Sequence, residues 1–309
     1  MKFNEIELSN LDFKGEEKNT LYVIGNGFDL YHHVKSRYKD FADWLSKKKP
    51  VFLQAMNCIF SELDPNPNTL WSNFEEALGS YDIDEIYNCY YKRPEDSLGK
   101  NKWDIAAERV VKQVSDVCKK IRPLIKGWAE NEINIEAVKE NTILKNLFSP
   151  KSKYLTFNYT KVLESVYHIP PIQICHIHGV VDEDEELITG HNIIGKIGGD
   201  LTSQTDEEEK AKQNIIRVMN NLAKDPKQRI VLNEAFFLGL EDITNVVVLG
   251  HSLADIDMRY FGRLLSQIPQ EAHWYFAYHF IKDKNAIQRF VQPAKLQKRR
   301  IQNHIIFKF

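Results

Sequence analysis

In "ICHIHG", His176 and His178 stand two residues apart, and imidazole is the side chain whose ordinary pKa suits proton transfer near neutral pH. On a strand that spacing turns both rings to one face and sends Cys175 and Ile177 to the other. In "TFNYTKVLE", Asn158 closes another apolar run. Its amide both donates and accepts, and Thr160 stands where it caps a following helix. "VIGNGFDLYHH" places Gly25, Asn26, Gly27, Phe28 and Asp29 after a third run, and "VVVLGHSLADIDMRYF" ends a fourth in Gly250, His251 and Ser252 before Asp255 and Asp257.

Each cluster also has an ordinary structural reading. Gly25 and Gly27 match the first two positions of G-x-G-x-x-G, but Leu30 fills the third, and no acidic residue closes a second strand about 20 residues later, as a dinucleotide fingerprint requires. What survives is physical: glycines at a strand end let backbone approach a phosphate, and a helix N-terminus favours negative charge. Asp255 and Asp257 suit a helix start by the same dipole.

The elements that must position these residues are legible as apolar, β-branched or aromatic runs. These are "TLYVIGNG" (20–27), "KYLTFNYT" (153–160), "IQICHIHG" (172–179), "NVVVLGHS" (245–252), "HWYFAYHF" (273–280) and "HIIFKF" (304–309). Continuous rather than alternating hydrophobicity is what strands covered on both faces require, and helical patterns separate the runs. The expectation is a mostly parallel α/β sheet with helices on both faces, forming one domain over 1–309. A helical lobe is expected as an insertion over 36–150, and a helical insertion or lid over 198–240. All four polar clusters then fall at carboxyl ends of parallel strands, where open α/β sheets bind ligands.

Composition narrows the partners. The 309 residues carry 41 basic and 43 acidic side chains for a net charge of −2, which argues against the electrostatic grip of a nucleic-acid binder. The basic run "KLQKRR" (295–300) reads as a solvated loop or helix end. Cys58, Cys89, Cys118 and Cys175 are scattered with no C-x-x-C pair, so structural zinc and a disulfide framework are not expected, and a reducing cytoplasm fits. No apolar leader region opens the sequence and no stretch reaches the ~18 apolar residues of a membrane span.

Taken in order, Gly25-Asn26-Gly27, Thr156-Phe157-Asn158-Tyr159 with Glu164, His178-Gly179, and Gly250-His251-Ser252-Leu253 resemble the sirtuin (SIR2) NAD-binding pattern of G-A-G, T-Q-N-I-D, H-G and G-T-S-L. The more specific forms G-N-G-F-D-L, F-N-Y-T-x-x-L-E, H-I-H-G and G-H-S-L-x-x-x-D resemble the AbiH family of bacterial phage abortive-infection proteins. The likeness runs from about residue 21 to 261 and includes "LWSNFEEALG" in the helical stretch.

This resemblance implies a SIR2-like, Rossmann-like fold, a role in anti-phage defence, and NAD as substrate, cleaved at its nicotinamide-ribosyl bond without a metal. By position it places Gly25 and Gly27 toward the pyrophosphate and Gly250 and Ser252 on the phosphate or ribose side, with Asn26, Phe28, Asp29, His251 and Asp257 as further cofactor-binding positions of the same motifs. Asn158, flanked by Thr156 and Tyr159, faces the nicotinamide ribose, and His178, followed by Gly179, faces the reaction centre. Thr160 stands where sirtuins carry an acidic residue that helps hold the nicotinamide carboxamide, and Asp29 is the candidate substitute. One extra residue before Glu164 and the missing zinc cysteines favour hydrolysis over protein deacylation.

A phage-derived trigger, a homo-oligomer and a cytoplasmic location accompany that reading. Two others stay open: a nucleotide sensor without turnover, and a metal-dependent phosphoesterase or nuclease built on His176, His178, His191, His251, Asp255 and Asp257.

Overall fold

The computed structural model describes residues 3–11, 19–60, 74–92, 101–184, 187–191, 203, 205–292, 301 and 303–309. The basic run 295–300 lies outside them, as do the opening residues of the stretch 198–240 and the first four residues of "LWSNFEEALG".

In chain order the elements begin with strands β1 (Glu5–Ile6) and β2 (Thr20–Ile24), then helices α1 (Asn26–Tyr31), α2 (Tyr38–Lys48), α3 (Pro50–Ile59), α4 (Phe74–Ala77), α5 (Ile83–Tyr90), α6 (Lys102–Glu132) and α7 (Thr142–Leu147). Strand β3 (Lys153–Thr156), helix α8 (Val162–Tyr167), strand β4 (Ile174–His176) and helices α9 (Asp206–Asn220), α10 (Pro226–Leu232) and α11 (Glu234–Leu238) follow. Strand β5 (Asn245–Leu249), helix α12 (Met258–Gln267), strand β6 (His273–Tyr278), helix α13 (Ile281–Val291) and strand β7 (Asn303–Lys308) complete the described elements.

The chain divides into two compact units. The first is Met1–Ser36, Ala129–Leu187 and Asp225–Phe309, and the second is Arg37–Trp128 and Ile188–Lys224.

The first unit holds a seven-stranded sheet in the order β1-β7-β6-β5-β2-β3-β4, and every pairing is parallel. This is the α/β architecture the continuous apolar runs predict. Alternation within those runs feeds two cores. Leu21, Val23, Val246 and Val248 join one cluster, while Tyr22, Ile24, Val247 and Leu249 join the other. A strand buried on both faces needs both sets, so β2 and β5 are apolar at almost every position.

Counted from β2 as the first strand and leaving out β1, the order is 3-2-1-4-5-6, that of dinucleotide-binding sheets, and its switch point lies between β2 and β5. Strands β2 to β6 are shorter than the runs that announce them. β2 and β5 stop before Gly25 and Gly250, β3 ends at Thr156 and β4 at His176, so most of each polar motif lies in the turn at the carboxyl edge. β1, two residues long, is an addition the sequence pattern does not announce.

The second unit carries α2 to α5, most of α6, and α9. There the buried Lys224 ammonium meets Glu75 at 2.7 Å, and Tyr38 donates to the same carboxylate at 3.1 Å. Cys58 of α3 and Cys89 of α5 are joined in a disulfide. The sequence, read as carrying no disulfide framework, does not announce this single pair: the packing of α3 on α5 brings together cysteines 31 residues apart.

Candidate functional site

At the end of β2 the chain turns at Gly25, the N-cap of α1, and runs directly against the turn after β5. A Cβ on Gly25 would lie 2.6 Å from His251 Cα, and one on Gly27 2.6 Å from Gly250 Cα. The glycines therefore let two backbones touch at the switch point. Their amides bond across that contact, Gly25 N–H to Leu249 O at 2.9 Å and Gly27 N–H to Gly250 O at 2.8 Å. Asn26 is exposed and tied to Ser36, whose hydroxyl donates to Asn26 Oδ1 at 2.6 Å. The Phe28 ring lies in the core, beside the rings of His32 and Tyr167.

Asn158 follows β3 after a turn that its own backbone amide secures on Thr156 Oγ1 at 3.1 Å. Its Nδ2 donates to Asp29 Oδ1 at 2.9 Å and to Gly25 O at 3.2 Å. Both neighbours are acceptors, so the nitrogen must face them and the orientation of the amide is determined. Asn158 Oδ1 is buried with no hydrogen-bond partner among the described residues. A buried acceptor calls for a donor, and the described side chains supply none to this one.

Asp29 itself is buried on α1 and receives the Thr160 hydroxyl at 2.7 Å on its other oxygen. Burial pushes its carboxyl up to about 6, against the opposing pull of Thr160, Asn158 and the nearby His176. Thr160 and Asp29 thus meet at one point: where sirtuin-like sequences place an acid after the asparagine, this chain places a hydroxyl bonded to an acid from α1. Tyr159, half-buried, offers its carbonyl to Val181 N–H at 2.9 Å.

The two histidines of "HIHG" part company. β4 ends at His176, and the turn that follows breaks the alternation that would have kept both rings on one face. His176 Nδ1 reaches Asn158 O at 3.2 Å and Nε2 reaches Glu164 at 2.8 Å. The ring thus bridges the Asn158 carbonyl and the Glu164 carboxyl. His178 turns instead toward Asp257, 3.7 Å from Nε2 to Oδ1. Gly179, at φ 80°, closes the turn by donating to His176 O at 3.1 Å.

The turn after β5 supplies the rest. Gly250 sits at φ 65° and Leu253 at φ 54°, a left-handed conformation that a leucine seldom adopts. His251 Nδ1 accepts the Leu253 N–H at 3.0 Å, and its Nε2 lies 3.5 Å from Asp257 Oδ2. Phe157 stands edge-on to both imidazoles, its centroid 5.1 Å from that of His178 and 4.4 Å from that of His251. Tyr260 and Phe261 extend this aromatic wall. Ser252 and Asp255 are exposed.

The structure thus joins Gly25, Asp29, Thr156, Asn158, Thr160, His176 and Glu164 through one set of hydrogen bonds, and it groups His178, His251 and Asp257 in a second cluster, with the backbone contact of Gly25 and Gly27 on Gly250 and His251 between the two. Glu164 belongs to the motif F-N-Y-T-x-x-L-E, but nothing in that spacing announces its pairing with His176. His191 lies in the second unit, with Nε2 on Met219 O at 3.1 Å. Among the described residues, no group of three His, Cys, Asp or Glu side chains is arranged to hold a metal ion, and no helix is long and apolar enough to cross a membrane.

Residues 21–278 match the family model described as bacteriophage abortive infection AbiH. No curated protein matches the chain.

Proposed function

The chain belongs to the AbiH family of bacteriophage abortive infection proteins, and we propose that it acts in phage defence by binding NAD and hydrolysing its nicotinamide-ribosyl bond. The observation that carries the reading is the buried, oriented Oδ1 of Asn158 beside the switch point of a sheet ordered 3-2-1-4-5-6. A ribose hydroxyl is the kind of donor that acceptor suits, and a dinucleotide is the kind of ligand that crevice suits. The His178 imidazole supports the same reading, because hydrolysis requires a group that takes a proton from water.

In this reading the bond between ribose C1′ and the nicotinamide nitrogen breaks, its electron pair leaving with nicotinamide. The oxygen of a water molecule bonds to C1′, and His178 takes the proton that water loses. Positive charge that develops on the ribose is met by fixed polar groups, the Asn158 Oδ1 among them. Gly25 and Gly27 contribute by lacking side chains, since their amides serve Leu249 and Gly250. Asp29 acts from behind, holding the Asn158 amide so that Oδ1 faces the ligand.

Purified protein incubated with NAD, alone and with lysate of phage-infected cells, is expected to release nicotinamide and ADP-ribose in equal amounts. The His178→Ala variant is expected to lose about 10²-fold or more of that rate. NAD left intact under both conditions would overturn the proposal. Tight binding of NAD without turnover would make the protein a nucleotide sensor.

A further inference from the structure

We propose that Asp257 is a positioning residue: its carboxylate, shared between His178 and His251, fixes the tautomer and orientation of the His178 ring. The kinetic consequence rests on the NAD-cleaving reading above, whereas the tautomer does not.

Asp257 occupies the N-cap of α12, the position from which an aspartate ordinarily accepts amide hydrogens of the first turn. Its side chain makes no such cap bond. The carboxylate turns instead between two imidazoles, with Oδ1 3.7 Å from His178 Nε2 and Oδ2 3.5 Å from His251 Nε2. All three side chains are nearly enclosed, at 5%, 10% and 3% exposure for His178, Asp257 and His251. Phe157 and Tyr260 wall the group with aromatic carbon. A carboxylate placed in such surroundings requires nearby donors, and the two ring nitrogens face it.

The backbone fixes one of the rings independently. The Leu253 amide donates to His251 Nδ1 at 3.0 Å, so in the neutral ring the proton resides on Nε2 and faces Asp257. Gly250 and Leu253 both take left-handed conformations to build this turn, and a leucine held there is strain maintained by its surroundings. His251 therefore turns its Nε2–H toward one carboxylate oxygen, 3.5 Å away, while the other oxygen lies toward His178. At 3.7 Å, longer than a hydrogen bond, the Asp257 carboxylate acts on the His178 ring through its charge: it favours the proton on the nitrogen that faces it, Nε2, and so leaves Nδ1 as the basic nitrogen of the neutral ring. The motifs H-I-H-G and G-H-S-L-x-x-x-D, far apart in sequence, thereby form one device.

Two measurements test this. In protein carrying ¹⁵N-labelled histidine, long-range proton–nitrogen correlations are expected to show the Nε2–H tautomer for both His251 and His178. In Asp257→Asn, whose side chain offers one acceptor oxygen to two donors, His178 is expected to shift toward the Nδ1–H form. An Nδ1–H tautomer for His178 in the wild type, or an unchanged one in a folded variant, overturns the proposal. Should the variant fail to fold, the wild-type spectrum alone decides. In NAD turnover, Asp257→Asn is expected to lower kcat about 10²-fold with KM within about threefold. A loss confined to KM, or none, counts against it. Wild-type protein that releases no nicotinamide defeats the NAD reading and leaves the tautomer test standing.

Discussion

Asp29 shows how one buried group joins stability to site geometry. Its carboxyl ionises near 3.8 when exposed and at about 6 in the fold, burial being the main cause. Between those values the folded state binds more protons than the unfolded one. The contribution to stability is fully present below 3.8 and is lost as pH rises through 6, a change on the order of 3 kcal/mol across that interval. Asp29→Asn keeps the size of the side chain and removes the ionisation. Urea melts of wild type and variant from pH 4 to pH 7 should therefore converge, or cross in favour of the variant, as pH rises. Melting curves that remain parallel across that range would show that the carboxyl does not titrate there. The pairing of Asp29 with Asn158 and Thr160 is not legible in the sequence: a hydrogen bond spanning 131 residues leaves no spacing to read. Asn158 and His178 are legible singly, because a polar side chain at the end of an apolar run is visible without its partners.

At the scale of elements, the two turns at the switch point behave as one packed unit. A Cβ at Gly250 would sit at φ 65°, 2.7 Å from Gly27 Cα and closer still to the Phe28 amide, all of it backbone that cannot rotate away. Gly250→Ala is expected to destabilise the protein by about 3 kcal/mol or more, as strain and steric conflict add. Gly262, inside α12, is the internal control: a Cβ there meets nothing within 4 Å. Gly262→Ala should stabilise by about 0.5 to 1 kcal/mol, the ordinary preference of a helix interior. A neutral Gly250→Ala in chemical denaturation would show that the turns are not in contact. The sequence marks these glycines as special but not the reason, because a glycine against backbone and a glycine against phosphate look alike in a motif. The strands β2 to β7 are legible because burial on both faces writes a continuous apolar run. β1, with two residues beside β7, is too short to write any pattern. The expectation that His176 and His178 share a face fails for a local reason, since β4 ends between them.

At the scale of the molecule, β2 is completed only by distant chain: Leu21 pairs with Lys153 on one side and Val246 on the other. Asp29, Asn158, His178 and Asp257 follow the carboxyl ends of β2, β3, β4 and β5, and therefore come to one edge only when those strands have paired. A ligand held by them binds the folded state and not the unfolded one, and so must raise overall stability by an amount set by its concentration relative to Kd, about 2.7 kcal/mol at a hundredfold excess. This separates binding from chemistry. Carba-NAD, whose ribose ring oxygen is replaced by carbon, resists cleavage while keeping both hydroxyls of that ring. It should raise the melting temperature of the wild type in a concentration-dependent way. Asn158→Ala, which removes the buried Oδ1 acceptor, should abolish most of that rise whatever the variant's own starting stability. A rise with carba-NAD and nicotinamide release from NAD would establish binding and hydrolysis together, and a rise without release would assign the sensor role. If carba-NAD leaves wild-type melting unchanged at millimolar concentration, the dinucleotide reading of this sheet edge is wrong, even though the fold and the AbiH family stand.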